Sequence, residues 1–481
     1  MDGYLRAVTA QSGSISDGAL RQLLEDWIEA NRETMVQDIF TVVSIPSVSG
    51  KAEGRMPYGA GCGAVLEAVG RLVAGAGFTF QNHAYHCGTA QLEGSGEETI
   101  GIFSHIDTVA PGDGWNFAPY RPFLKDGYLY GRGVTDDKGP AVAALYVLKC
   151  LRDLRLPLRH NVMVYFGCDE ESSMGDIHYY LAHNKPPAFS LVPDARFSVC
   201  CGEKGIISAK ITMDLRETGI RDFQAGSGEN IVPNFAEVSL TCSAREAAQI
   251  MAREELTVAF ANGVAVVHAE GVAGHAAFPE NTENAIDKLT NNLKEIPFSN
   301  TGTVRVLKAL AELSRGYRGE GIGIHAEDAF FGPLTSVAGT ARVENGALTV
   351  TLNIRYPIST DRDTIRARLS AFCTAYGAEI ASFENSEPAY FAPDGEIPTL
   401  LNDLCREVLR ADFAPYSMGG GTYARHLPNA MACGPLNRHL ARPGGTRRGG
   451  GHQPDECVCL ESLENLIKIY VRAIAKIDRM I

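Results

Sequence analysis

Three apolar runs in the first part of the chain each end in residues able to bind a cation. Residues 100–107 read as a buried strand stopping at Ser104-His105-Ile106-Asp107. Residues 161–166 form a second such run, followed by Cys168-Asp169-Glu170-Glu171, and residues 190–193 a third, followed by Asp194. Strand side chains alternate with period two, so His105 and Asp107 are expected to project the same way. In an open α/β sheet, sites gather beyond the carboxyl ends of the strands, which would bring the three endings to one crevice. One imidazole and several carboxylates in one crevice make a cation-binding site.

Around these strands the pattern predicts helices over residues 18–43, 63–74 and 140–154, the last opening on Pro140, where a missing N–H costs nothing. From Gly205 to about Phe383 the texture changes. Alternating strands at 206–213, 237–242, 265–270 and 348–356 are interspersed with charged helices at 283–295 and 361–376, the signature of one or two small α+β layers. Helices at 398–411 and 461–481 return to the earlier style, with a Gly-rich loop between them. The expected fold is an α/β catalytic domain with a mixed central sheet flanked by helices, in two parts, 1–201 and 384–481. An inserted α+β lid, 202–383, interrupts it and has room for two similar subdomains.

Composition adds exclusions. A chain of 481 residues with 45% hydrophobic content exceeds what one core usually supports. A net charge of −13 argues against a nucleic-acid partner and suits a protein that attracts cations. The N-terminus shows no basic segment followed by an apolar core, and no apolar run is long enough to cross a bilayer. The 12 cysteines are scattered without a CxxC pair, which points to reduced thiols and a cytoplasmic location. Cys200-Cys201 and Cys457-Val458-Cys459 are read as small buried hydrophobes and not as thiolate ligands. The glycine clusters at 419–421 and 444–451 lack the Lys-Ser/Thr ending of a phosphate loop.

Six segments then carry a resemblance. Ser104-His105-Ile106-Asp107-Thr108-Val109, Gly131-Arg132-Gly133-Val134-Thr135-Asp136-Asp137-Lys138-Gly139-Pro140, Asp169-Glu170-Glu171-Ser172, Pro193-Asp194-Ala195, Gly202-Glu203-Lys204-Gly205 and Gly420-Gly421-Thr422-Tyr423-Ala424-Arg425 occur in that order. Together they resemble the M20 family of di-metal peptidases, and most nearly its dipeptidase V branch, which includes carnosinase-like and Xaa-His dipeptidases. The resemblance implies a zinc-exopeptidase-like catalytic domain and a dipeptide or short-peptide substrate. The long insertion is the size that accompanies monomers in that family. Ser104 and Ser173 stand where the family usually has glycine, and neither change removes a ligand.

Two divalent cations that clamp a shared hydroxide need a bridging carboxylate and further N or O ligands on each ion. Asp136, in a Gly-flanked turn, is the expected bridge, and in the family the Asp136-Asp137 peptide bond is cis. His105 and Asp194 would complete one ion, Glu171 and His452 the other; His452 lies in the segment where the family's last ligand is found. Such a ligand set suits Zn²⁺ first, with Mn²⁺ and Co²⁺ close behind. Adjacent glutamates after a strand need not point the same way, so Glu171 is read as the ligand and Glu170 as the general base. Asp107 would orient the His105 imidazole.

The resemblance also implies lid roles. Gly271-Val272-Ala273-Gly274-His275 is similar to the motif that supplies a histidine to the tetrahedral intermediate, making His275 the oxyanion donor. Asn353-Ile354-Arg355 is similar to the motif whose arginine grips the substrate carboxylate, with Asn230 adding a polar contact. Gly421 and Thr422 would meet the same carboxylate. The other histidines read as surface or satisfied residues, with His439 and Arg438 the first exceptions to examine. Two alternatives stay open: an N-acyl amino-acid deacylase or desuccinylase using the same metals, and a catalytically silent metal-stabilised peptide binder. The presence of Glu170 speaks against the second.

Overall fold

The computed structural model describes residues 17–445 and 448–481. It divides into two units: unit 1 comprises the chain up to Cys201, Phe391–Tyr416 and Gly421–Ile481, and unit 2 comprises Gly202–Tyr390 with Ser417–Gly420. Unit 2 thus extends beyond residue 383, for reasons visible in its hydrogen bonds. Strand Ala389–Tyr390 pairs with Gly202 and Glu203. Met418 O accepts from Lys204 N at 2.9 Å, and Ser417 Oγ donates to Phe330 O at 2.7 Å.

The sheet of unit 1 runs, in spatial order, Phe80–His83, Cys87–Leu92, Asn161–Gly167, Thr99–His105, Phe189–Val192, Ala430–Cys433 and Val199–Glu203. Its middle strands, from Asn161–Gly167 across to Ala430–Cys433, are parallel; the outer pairings are antiparallel. Parallel strands are covered on both faces, which is why they read as unbroken apolar runs. Asn161–Gly167 is buried at every position. His105 ends the strand that lies between Asn161–Gly167 and Phe189–Val192. The turns at Cys168–Glu171 and Asp194 therefore leave neighbouring strands at the same edge as His105.

Helix Lys138–Asp153 packs behind this sheet, between Asp17–Val43 and Leu460–Ile477. It is buried almost all round, which accounts for the run Ala141-Val142-Ala143-Ala144-Leu145. The helix starts two residues before Pro140. Its first residue, Lys138, is fully buried and donates from Nζ to Val42 O at 3.2 Å and Ile45 O at 2.6 Å. Its Nζ thus satisfies carbonyls at the end of the first helix, while burial pushes the amine down to about 7. Among the described residues, no helix is long and apolar enough to cross a membrane.

Unit 2 is built on one antiparallel sheet of eight strands, in the order Thr257–Ala261, Val264–Glu270, Phe235–Thr241, Ile220–Ala225, Thr335–Glu344, Ala347–Tyr356, Gly205–Asp214 and Ala378–Ser386. Two four-stranded halves meet through a short ladder, Gln224 with Arg342 and Ala225 with Ala341. Its strands alternate buried and exposed positions along Gly205–Asp214, as expected where one face meets a core and the other water. Leu289, Leu293, Leu307, Leu310 and Leu369 belong to that core.

The turn into helix Lys138–Asp153 depends on one glycine. A Cβ on Gly139 would lie 2.1 Å from the carbonyl oxygen of Val134, which is backbone and has little room to move. Gly139→Ala should therefore destabilise the protein by roughly 1 to 3 kcal/mol in urea unfolding. Gly63 is the control: a Cβ there meets only the flexible end of Met56, at 2.4 Å from Sδ, so Gly63→Ala should cost less. Equal losses in the two variants would refute the distinction.

Candidate metal centre

Asp136 occupies the turn between Gly131 and the helix that starts at Lys138, and the Asp136–Asp137 peptide bond is cis. Its two carboxylate oxygens address different imidazoles. Oδ1 lies 3.1 Å from His105 Nε2, and Oδ2 lies 3.2 Å from His452 Nε2. Asp194 Oδ2 is 3.8 Å from the same His105 nitrogen, and Glu171 Oε2 is 2.9 Å from the His452 nitrogen. Donors bound to one ion at about 2.1 Å lie roughly 3 to 3.5 Å apart, so the three shorter separations fit ligands that share cations, and Asp194 stands somewhat farther off. One ligand atom each from His105, Asp136 and Glu171 fall within 4.8 Å of one another, and so do those from His105, Glu170 and Asp194. Glu170 thus stands within donor range of the His105 side as well. No cysteine joins either group; all but Cys459 are buried, and all are free thiols.

The charges conflict until something positive enters. Burial raises the carboxyls of Glu170, Glu171 and Asp194 above the ordinary range, and neighbouring acids push all three the same way. Burial also acts on Asp136, but its bonds to His105 and His452 outweigh it and hold that carboxyl down. His452 is pushed up to about 11: burial works against its charged form, and the bonds to Asp136 and Glu171 overcome it. A donor set of imidazoles with surplus carboxylates is what hard divalent cations neutralise.

Buried acids that belong to neither donor group hold the surrounding turns. Asp107 accepts from the backbone N–H of Glu170 at 3.2 Å and of Glu171 at 3.1 Å. It also faces His105 Nδ1, though its main-chain oxygen, at 3.1 Å, is nearer than its carboxylate, at 3.4 Å. Donating Nδ1–H to that carbonyl leaves Nε2 to serve as the ligand nitrogen. Glu456, which the sequence reading passed over, accepts from Gly133 N, Thr135 N and Asp136 N at 3.1, 2.9 and 3.2 Å. Arg132 Nη1 binds the same carboxyl at 2.6 Å, and both side chains are buried. Glu456 follows His452 by four residues, so it ties the Asp136 turn to the His452 loop. Ser173, one of the departures from the family pattern, donates to Asp169 Oδ2 at 2.5 Å; the hydroxyl of Ser104, the other, is buried without a partner.

Thr422 caps the short 3-10 turn Tyr423–His426, its hydroxyl accepting from Ala424 N at 3.2 Å. Gly421 leaves room for the Arg425 side chain: a Cβ would fall 2.5 Å from its Nη1. In unit 2, His275 pairs with Ile231 across a two-stranded ladder, and Ala276 N donates to Asn230 O at 2.8 Å. Ala277 N donates to His275 Nδ1 at 3.1 Å, which makes Nδ1 the acceptor and leaves the proton of the neutral ring on Nε2. Arg355 is buried, donating from Nε to Asn353 Oδ1 at 2.7 Å and from Nη1 to Gly419 O at 3.0 Å. Gly419 in turn lies against Ala277. Unit 2 therefore gathers Asn230, His275 and Arg355 around one short stretch of backbone. Arg438 and His439 are exposed and reach Asp412 O, each at 3.3 Å.

Known proteins are similar to this chain in sequence or in fold. A Bacillus subtilis (strain 168) protein named "Putative dipeptidase YtjP" is 31% identical over 464 residues, covering 93% of this chain and 98% of its own. A protein of Staphylococcus aureus (strain USA300) with the same dipeptidase designation is 27% identical over 478 residues, covering 93% and 97%. The crystal structure of human carnosine dipeptidase 1 shares the fold with a TM-score of 0.57 at 12% identity, over 96% of this chain and 99% of that one. The dipeptidase Dug1p of Saccharomyces cerevisiae does so with a TM-score of 0.57 at 11% identity, over 96% and 99%. Residues 101–476 match the profile of Peptidase family M20/M25/M40, a span that includes each expected ligand from His105 to His452, and the chain belongs to that peptidase family.

Proposed function

We propose that this peptidase is a dipeptidase that works with two divalent cations, Zn²⁺ before Mn²⁺ or Co²⁺, held on either side of Asp136. The observation that carries the reading is the division of the Asp136 carboxylate between His105 and His452, at 3.1 and 3.2 Å. His105 and Asp194 would hold one ion, His452 and Glu171 the other, with Asp136 shared. Cations held there would supply Lewis-acid polarisation of the scissile carbonyl and lower the pKa of water. The dipeptidase names of the bacterial relatives support the substrate class.

The chain's own residues do the rest. Glu170, whose backbone N–H is pinned by Asp107, takes a proton from the attacking water and passes it to the leaving amine. His275 donates from Nε2–H to the oxyanion that develops at the scissile carbonyl. Arg355, Gly421 and Thr422 take the free carboxylate, a task for which a guanidinium fork is well shaped, and Asn230 adds a polar contact. A dipeptide panel assayed on stripped protein with Zn²⁺, Mn²⁺ and Co²⁺ added separately tests the whole reading. Hydrolysis should require the cation and a free substrate amine. Faster cleavage of N-acyl amino acids than of dipeptides would replace the dipeptidase reading with a deacylase one.

Three variants separate the roles. Asp136→Ala should lose at least one ion outright, and elemental analysis finding two ions per chain after dialysis would rule out the bridge. Glu170→Ala should lower kcat by roughly 10² to 10⁴ with metal content intact. Loss of an ion there would instead make Glu170 a ligand, as its place beside His105 and Asp194 permits. Arg355→Ala should chiefly raise KM, whereas His275→Ala should lower kcat by about 10² to 10³ with little change in KM. Amidating the substrate's carboxyl group should harm the wild type badly and the Arg355 variant hardly at all. Equal harm in both would mean that Arg355 does not meet that carboxylate.

A further inference from the structure

The turn bearing Glu170 and Glu171 hangs by its backbone from two buried acids. Asp176 Oδ2 accepts from Cys168 N at 2.7 Å and Asp169 N at 3.0 Å, while Asp107 takes the next two amides, those of Glu170 and Glu171. Four consecutive N–H groups are therefore fixed by side chains, two by each carboxylate. Asp107 neighbours the centre through His105. Asp176 does not; it belongs to neither group of candidate ligands.

Asp176 has another contact that leads elsewhere. The hydroxyl of Tyr423 donates to its Oδ2 at 2.5 Å, and both side chains are buried, at 0% and 1% exposure. Tyr423 directly follows Thr422, and the Thr422 cap on Ala424 N locks the two into one turn. A feature of the sheet makes this contact possible. A Cβ on Gly167, the last residue of its strand, would fall 1.9 Å from the Tyr423 hydroxyl oxygen and 2.3 Å from Asp176 Oδ2. The strand ends in glycine where the tyrosine and the aspartate must meet.

We propose that Asp176 is a positioning residue: it sets the turn that presents Glu170 and Glu171, and through Tyr423 it couples that turn to the Gly421–Thr422 segment. The proposal rests on the roles given above to Glu170 and Thr422. A substrate carboxylate held by that segment would then bear on where the proton carrier sits. The coupling runs through the buried Thr422–Tyr423–Asp176 contacts and through backbone, with no ligand in between.

The test uses Asp176→Ala, Asp176→Asn and Tyr423→Phe, each alone and combined with Glu170→Ala. Hydrogen exchange at residues 168–171, metal content and dipeptide kinetics are read on every protein. Asp176→Ala should speed exchange of the Cys168 and Asp169 amides by about tenfold or more. It should lower kcat by about 10² with both ions retained, the loss expected from a small misplacement of a reacting group. Asp176→Asn should restore most of this, because its amide oxygen can take the place of Oδ2. Tyr423→Phe should lower kcat by about tenfold and raise KM, since it cuts the link and spares the amide bonds. In the Glu170→Ala background neither change should lower kcat further. Additive losses there would overturn the proposal, because a residue that only supports the fold harms both backgrounds alike. Unchanged exchange in a folded Asp176→Ala protein would overturn it too. Should that variant fail to fold, unchanged kcat and KM in Tyr423→Phe would overturn the coupling. A wild type inactive with every cation would sink the dipeptidase reading, while the exchange data would still decide whether Asp176 holds the turn.

Discussion

Repulsion among crowded carboxylates is the constraint to which the rest of unit 1 answers. Asp136, Glu170, Glu171 and Asp194 crowd around two imidazoles, with Asp107 and Asp137 directly behind. Two like charges 4 Å apart repel by about 4 kcal/mol at an effective dielectric near 20, so such a cluster scatters unless its backbone is held. The protein holds it with a second rank of acids that draw in amide donors. Asp107, Asp176 and Glu456 together take up the N–H groups of Gly133, Thr135, Asp136, Cys168, Asp169, Glu170 and Glu171. Each fixes a turn while leaving the ligand oxygens to the centre.

That arrangement explains where glycine is indispensable. Gly139 lets the Asp136 turn fold back on Val134, Gly167 opens the strand end to Tyr423, and a Cβ on Gly451 would lie 2.9 Å from Asp136 Oδ2. These are close approaches of backbone to backbone or to a charged group, which any side chain would block. They lie on three separate segments. The sheet supplies the common floor, because neighbouring parallel strands end at the same edge.

Much of this was legible in the sequence, and the part that was not has a physical reason. Buried parallel strands leave unbroken apolar runs, so the strands ending at His105, Gly167 and Val192 could be read with the polar residues that follow them. Helix Lys138–Asp153 was visible because Pro140 marks its start. Helix Thr301–Ser314 was passed over, although Asn300 caps it by accepting from Thr303 N at 2.8 Å; its composition resembles that of the flanking alternation. Strand Ala430–Cys433, which completes the parallel core, is too short to show a period. Asp176 and Glu456 were missed because a carboxylate that binds backbone amides looks, in sequence, like any loop acid. Their partners lie up to 324 residues away, and spacing carries no trace of them. Arg132 offered one hint, being a charged residue between glycines of a motif with no evident task.

The two imidazoles are held very differently, and that bears on how the centre assembles. His105 ends a buried strand, is 1% exposed, and has its Nδ1 side engaged by Asp107. His452 sits in a loop with φ of 63°, and its side chain is 46% exposed. A side chain on a strand end keeps its place because the sheet does, whereas one on an exposed loop depends on local contacts that open more easily. The contacts that restrain the His452 loop include those of Asp455 with Asn116 and those of Glu456, buried four residues on and bonded to the turn of Asp136 itself. Because Glu456 bonds to the Asp136 turn and belongs to the segment that follows His452, it ties the two together. Asp136 is thus tied toward the His452 loop twice, through its backbone N–H to Glu456 and through its carboxylate beside His452.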